Sequence, residues 1–314
     1  MNHIQQKVNC PLKKWTGRKT KIQWTTRTWN PCIGCSRCSD GCKACYAILE
    51  VHRKQFNPKL KAYYNAGLVT PASKDTPFVQ KGELDWTGKV ILLPERLEEP
   101  LKWEPCFCFV NSLSDLFHSS LTDEEILRVI DTMRRADHVV FQVLTKRAGR
   151  LKSFIEKNFP GGRGWPLNVW VGVSVENMAT LNRARILASL PLPVKFLSVE
   201  PQIEMISGIP EGIHQVLQGG ESAQGGHRPR PFDLAWAESM LMECRQKKIA
   251  YFLKQMGTTW AKSTAADGKR NSSHDHGGDW NDWPKRLRVR EYPETLWNDK
   301  KGNIIPLLAK GERS

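Results

Sequence analysis

No apolar stretch in this chain approaches the ~18 consecutive residues that a membrane-spanning helix needs, so none of its 314 residues reads as an integral membrane segment. The first residues, Met1-Asn-His-Ile-Gln-Gln-Lys7, lack the apolar h-region of a secretory signal. The expected compartment is therefore the reducing cytoplasm, with no membrane partner. A Gly-x-Gly-x-x-Gly turn after an early strand is also missing, which argues against an open, doubly wound dinucleotide-binding sheet. Acidic residues are scarce relative to basic ones: 32 Asp and Glu stand against 47 Lys and Arg, a formal net charge of +15. Such a surface attracts polyanions, and a nucleic acid or nucleotide substrate is the leading expected partner. One cluster suits that partner. Lys13, Lys14, Arg18, Lys19 and Lys21 alternate with Trp15 and Trp24, offering cations for phosphates and rings for base stacking. Buried tryptophans beside a solvated basic face would produce the same pattern.

What the chain has in local excess is cysteine. Five of its nine cysteines lie in the fourteen residues Cys32-Ile-Gly-Cys35-Ser-Arg-Cys38-Ser-Asp-Gly-Cys42-Lys-Ala-Cys45. In a reducing compartment such crowding favours a soft metal over disulfides. Cys38, Cys42 and Cys45 have the spacing C-x3-C-x2-C, which lets three thiolates converge on one iron–sulfur cube and leaves its fourth iron open to a cofactor. Cys32-x2-Cys35 and Cys42-x2-Cys45 are also two knuckles able to close a tetrahedral zinc site, although the residues between them are few for a zinc ribbon. A zinc knuckle would imply a non-catalytic nucleic-acid-binding protein. A zinc hydrolase would also need a base, and within the cluster only Asp40 offers one. Cys106 and Cys108 alternate with Phe107 and Phe109 on an expected buried strand and read as packing groups. His274 and His276 lie in the polar segment Gly268–Gly278, expected to be a mobile loop, and read as solvated.

Short apolar runs alternate with helical patterns, the signature of repeated β-α units and a mainly parallel sheet. The runs are Cys106–Val110, Val139–Leu144, Val169–Val173, Val194–Val199, His214–Leu217 and Ile249–Leu253, with a further candidate strand at Lys21–Trp24. Thr122 and Glu125 form a capping-box pattern before one helix, and further helices are expected over 177–189 and 233–248. This count predicts an α/β fold, a partial or complete (βα) barrel over residues 1–257. The barrel would carry the cysteine loop at 32–45 and an insertion near 50–100, and a basic C-terminal extension over 258–314 would hold Lys285–Arg290. Barrel sites lie at the C-terminal ends of strands. The residues just past the runs are Asn111, Ser112, Ser114 and Asp115; Thr145, Lys146 and Arg147; Ser174 and Glu176; Glu200; Gly219, Gly220, Glu221 and Ser222; and Lys254 and Gln255. Lys146, Arg147 and Lys254 are the candidates for holding an anionic substrate.

Several blocks carry a resemblance. Thr28-Trp-Asn-Pro31, Gly34-Cys35, Ser39 and Gly41-Cys42-Lys-Ala-Cys45-Tyr46-Ala47 resemble the signature of the phage-associated three-Cys-motif family, an uncharacterised radical-SAM-like group. Phe109–His118, Phe141–Arg147, Val169–Glu176, Phe196–Pro201, Gly219–Ser222 and Phe252–Gly257 are similar to its later blocks, in order, so the resemblance covers about residues 20–257. Position by position, it lands the three family cysteines on Cys35, Cys42 and Cys45, with Cys38 where the family usually has an apolar residue. Two overlapping triplets result, both containing Cys42 and Cys45. The resemblance implies a radical SAM type of barrel whose thiolates carry a 4Fe-4S cluster. The open iron would take S-adenosylmethionine, and a reductase or flavodoxin-type donor would supply one electron to generate a 5′-deoxyadenosyl radical. Asn111, Ser112, Ser174, Glu176, Glu200 and Glu221 would contact that cofactor. Two departures stand out: Ala44 replaces the aromatic that usually precedes the last cysteine, and Gly219-Gly220-Glu221 follows a late strand rather than the second.

Overall fold

The structure, a computed structural model, describes residues 20–224, 226–265 and 268–293, plus an antiparallel strand pair, Leu296–Asn298 with Ile304–Pro306. Cys10, Lys13, Lys14, Trp15, Arg18 and Lys19 lie outside the described residues.

The chain begins with β1 (Arg27–Thr28) and β2 (Cys32–Ile33), then α1 (Tyr46–Lys54), β3 (Val69–Pro71), β4 (Leu84–Trp86) and β5 (Ile91–Leu92). The α/β repeat follows: β6 (Cys106–Val110), α2 (Asp123–Arg135), β7 (Val139–Thr145), α3 (Ala148–Asn158), β8 (Val169–Ser174), α4 (Asn182–Ser189), β9 (Lys195–Val199), β10 (Gln215–Gly219), α5 (Leu234–Gln246), β11 (Ala250–Gln255) and a short α6 (Thr258–Lys262). Seven strands form one parallel sheet in the order β1-β6-β7-β8-β9-β10-β11. The order never reverses, so there is no switch point of the doubly wound kind, and the sheet curls into a half-barrel. The region expected as an insertion supplies two antiparallel pairs, β2 with β5 and β3 with β4. The expected strand at Lys21–Trp24 is absent. Pairing begins instead at Arg27 against Cys108, because the Trp24 ring is buried on the concave face beside Phe109 and Phe196. That burial also removes Trp24 as a base-stacking ring.

Both faces of the sheet are covered, which is why its strands read as apolar runs rather than as alternation. Cys106, Cys108, Val110, Phe141, Val143, Val171 and Leu197 point outward to the helices and join Ile126, Ile130, Leu151, Phe154, Leu187 and Met240 in the main core. Phe107, Phe109, Val140, Trp170, Phe196, Leu217 and Phe252 fill the concave side with Trp24 and Tyr292. Helix α2 starts where the capping box predicts, with the Thr122 hydroxyl accepting from Glu125 N and the Glu125 carboxylate accepting from Thr122 N. Its first turn is acidic and its last turn basic, complementing the helix dipole.

The open edge of β11 is covered by the segment 289–291, which bonds antiparallel to it through Leu253 N to Val289 O and Glu291 N to Tyr251 O. The Arg290 guanidinium sits over the rings of Phe252, Trp280 and Trp283. Tyr292 packs on Phe107 of β6 and Phe252 of β11, with ring centroids 5.4 and 5.7 Å apart, and so bridges across the open side of the half-barrel. The arginines of the second basic element are thus turned inward or paired, while Lys285 is exposed. Arg286 binds Glu238, and Arg288 donates to the carbonyls of Trp283 and Asn281.

Candidate metal centre at the mouth of the half-barrel

The cysteine loop is placed by what precedes it. The Asn30 side-chain oxygen accepts from Ser112 N and Leu113 N, both at 2.8 Å, locking the turn after β1 to the loop after β6. Gly34 has φ +96°, and a Cβ there would lie 2.1 Å from the Lys89 carbonyl, so the turn into the loop requires glycine. Residues 34–45 then cross the C-terminal ends of the strands, and Cys45 occupies the cap position of α1.

The five loop cysteines divide. Cys32 is fully buried away from the others; it is hydrogen-bonded to Ser114 and Asn111, and burial pushes its thiol up to about 12. Cys42 interacts electrostatically with Cys35, Cys38 and Cys45, and Cys35 also with Cys45. The Cys42 thiol is pushed down to about 5, chiefly by a hydrogen bond from Cys38 and, against burial, by the Lys146 ammonium. Acting as the donor raises Cys38. Cys35 is raised to about 12 by burial, opposed by Arg147, whose guanidinium lies 3.9 Å from its sulfur. Among the described residues no three His, Cys, Asp or Glu side chains converge closely enough to share a single metal ion. That holds for the two Cys-x2-Cys pairs and for both overlapping cysteine triplets alike. As donors, these sulfurs flanked by cations are of the soft kind that thiophilic metals and iron–sulfur clusters take.

Four charged side chains clamp this loop. Arg37 donates to the carbonyls of Cys42 and Lys43 at 2.5 and 2.6 Å and pairs with Asp85 at 2.7 Å. Arg147 reaches Ser36 O and Oγ at 3.0 and 2.9 Å and pairs with Asp115 at 2.9 Å. Burial works against its charge, but Asp115 holds the guanidinium above its ordinary range. Glu176 is completely buried, accepts from Ser39 Oγ at 2.9 Å and binds both Lys146 and Arg183. Those two cations keep its carboxyl below the usual range against the penalty of burial. A Cβ at Gly41 would sit 2.4 Å from the Glu176 side chain, so the loop lies directly on this carboxylate. Arg230 binds Glu221 through its guanidinium and reaches Asp40 O at 3.3 Å.

One family model matches residues 19–284 of the chain, a span that includes the loop and all seven strands of the sheet. The chain belongs to the DUF5131 family, described as "Protein of unknown function". No curated protein and no solved structure matches it.

In this DUF5131 protein the polar residues expected at the rim are present there, but nearly all have protein partners. Asn111 donates to Cys32 and Ser114, while its own side-chain oxygen is buried without a partner. Ser112 is taken by Asn30, and its carbonyl accepts from Tyr46 at 2.8 Å. Ser174 is buried, and its carbonyl accepts from Arg183. Glu200, next to the cis Glu200–Pro201 bond, pairs with Lys254 at 2.5 Å. Lys146, Arg147 and Lys254 each have a carboxylate partner within the mouth, so any anionic ligand must compete for them. His274 uses its Nδ1 to accept from His276 N and Gly278 N, and His276 Nδ1 meets the Thr258 hydroxyl. A surface depression of about 590 Å³ between α2 and residues 94–98 is lined by none of the rim residues.

Arg37, Ser39, Asp85, Arg183 and Arg230 were not legible as site residues. Arg37 and Ser39 lie inside the motif, where a charge or hydroxyl between ligating cysteines was a usable signal. Arg183 and Arg230 come from segments with no motif, and only the fold brings them to the loop.

Proposed function

We propose that this chain is an iron–sulfur radical SAM enzyme, with Cys35, Cys42 and Cys45 as the cluster ligands and Cys38 as a neighbouring hydrogen-bond donor. The observation that carries the proposal is the placement of these sulfurs over the C-terminal ends of a parallel half-barrel, in a loop pressed onto the rim by Glu176 and Arg147. The resemblance to the phage-associated three-Cys-motif family supports it. Cys35 is favoured over Cys38 because the resemblance puts the three family cysteines on Cys35, Cys42 and Cys45, and because Cys38 serves as a hydrogen-bond donor to Cys42. Bound there, the cluster and S-adenosylmethionine would supply reductive sulfonium cleavage and hydrogen-atom abstraction, with the electron coming from a reductase or flavodoxin-type donor.

The protein's own part is positioning and exclusion of water. Arg37, Arg147, Lys146 and Arg183 surround the thiolates with positive charge, which offsets the cost of gathering negative sulfurs. The concave aromatic layer gives the mouth a dry floor. Lys254 and Lys146, released from Glu200 and Glu176, would hold an anionic group of the cofactor or of a nucleotide substrate. A base in a nucleic acid, or a nucleotide, is the substrate class that the net charge of +15 favours.

The test is anaerobic purification with iron, sulfide and zinc quantified, then dithionite and S-adenosylmethionine added. About four irons per chain and release of 5′-deoxyadenosine are expected. A colourless protein with one zinc would overturn the reading in favour of a structural knuckle on a binding protein.

A further inference from the structure

Beyond the mouth, one surface combines exposed rings with unpaired cations. Between Glu50 and Asp75 the chain has no acidic residue but holds Arg53, Lys54, Lys59, Lys61 and Lys74. Within that span, Phe56 and Tyr64 are 65% and 44% exposed, among the few large apolar side chains left in solvent. Lys54 pairs with Glu50, but among the described residues Arg53, Lys59 and Lys61 have no carboxylate partner.

The backbone brings these groups together. Asn65 N donates to Gln55 O at 3.1 Å, closing residues 56–64 into a loop whose neck carries Phe56 on one side and Tyr64 on the other. The loop is held firmly. Leu60 and Tyr63 pack into the small core beside α1, and the Gln55 side chain bonds Val69 N and O. Because Tyr63 points inward, its neighbour Tyr64 points out. The Phe56 ring meets His52 of α1 edge-on, centroids 5.0 Å apart, and exposed Arg53 follows His52 at the helix end. Helix α1 starts next to Cys45, and its length puts this loop about 15 Å from the cysteines. The exposed ring of Tyr46 stands at the near end.

We propose that the loop 56–64, with Arg53, is a binding platform for single-stranded nucleic acid that feeds a strand toward the mouth. Phe56 and Tyr64 offer open faces for base stacking, and Arg53, Lys59 and Lys61 contact phosphates. Free cations interleaved with rings suit a flexible polyanion with unstacked bases; a duplex hides those bases. The inference deepens the nucleic-acid side of the function proposed above and does not depend on its iron chemistry.

The test uses the full chain and a fluorescein-labelled oligothymidylate of about twelve nucleotides, followed by anisotropy before and after iron loading. Single strand should bind more tightly than duplex of the same length, with affinity falling steeply as salt rises. Phe56→Ala with Tyr64→Ala should weaken binding by about tenfold or more. Lys59→Gln with Lys61→Gln should flatten the salt slope by about 1.4, roughly 0.7 for each lost phosphate contact. All four side chains are in solvent, and unchanged thermal midpoints will confirm that the variants fold. Failure to bind the oligonucleotide, equal binding of duplex, or variants that bind like the parent would each overturn the proposal. Zinc in place of iron with ring-dependent binding intact would sink the radical reading alone.

Discussion

One cysteine at the mouth of this half-barrel, Cys42, behaves in the opposite way to those in its wall and to its own neighbours Cys35 and Cys45, which burial raises. In the wall, Cys106 and Cys244 sit against apolar side chains, and burial pushes their thiols up to about 11 and 12. At the mouth, Cys42 is also buried, yet it is pushed down to about 5 because Cys38 donates to it and Lys146 stands nearby. Burial alone therefore does not decide thiol chemistry; what matters is whether the surroundings can solvate the anion. Two carboxylates contrast in setting and not in direction, both being held below the usual range. Glu176 at the mouth is fully buried between Lys146 and Arg183, whereas Asp123 on the outer wall is paired with Arg150 and Lys157 near solvent.

The sharpest way to break the comparison is by ligand removal. Under the proposed function, Cys42→Ala, Cys45→Ala and Cys35→Ala should reduce iron to background in anaerobically purified protein, while Cys106→Ala and Cys244→Ala keep it. If Cys35→Ala retains iron and Cys38→Ala loses it, the other triplet is the ligand set. Next in size is reactivity. In reduced, metal-free protein Cys42 should react with iodoacetamide at neutral pH at least about a hundredfold faster than the wall cysteines, since the thiolate is the nucleophile. That rate should fall as pH drops through about 5; mass spectrometry of tryptic peptides reads both points.

Stability separates the two carboxylates. Glu176→Gln leaves Lys146 and Arg183 buried without a counter-charge and should cost about 3 kcal/mol in chemical denaturation. Asp123→Asn should cost only about 1 kcal/mol, because its partners are screened by solvent. The Asp123 carboxyl is depressed to about 2, chiefly by its bond from Lys157. Its contribution is thus present above the unfolded value near pH 4 and disappears as pH falls toward 2. A pH series of thermal midpoints on parent and Asp123→Asn should converge at the acid end.

The strands of the half-barrel were legible because burial on both faces writes itself as apolar runs; Cys106–Val110 is found with its expected bounds, and Thr122 and Glu125 form the capping box. Helix α3 was not anticipated, its start being hidden behind the rim cation Arg147. The short β1 was misplaced because Ile22 and Trp24 have strand-like side chains that pack without pairing. At the site, the crowding of cysteines was legible but their division was not. Cys32 looks like a ligand in sequence, and only the loop after β6, with Asn111 and Ser114, draws it away. The rim residues were found by position, but not their partners. Pairings such as Lys254 with Glu200 depend on strands more than fifty residues apart in the chain.

Tyr292 bears on the order in which this molecule can be made. Its ring joins Phe107 to Phe252 across the open side of the half-barrel, and Val289–Glu291 hydrogen-bonds the last strand. The earlier strands leave the ribosome long before either contact exists. Until residue 292 emerges the nascent chain therefore carries a concave face covered only in part, by Trp24, and an unpaired strand edge. A ribosome stalled before that residue would hold a sheet whose last edge and open side cannot be sealed.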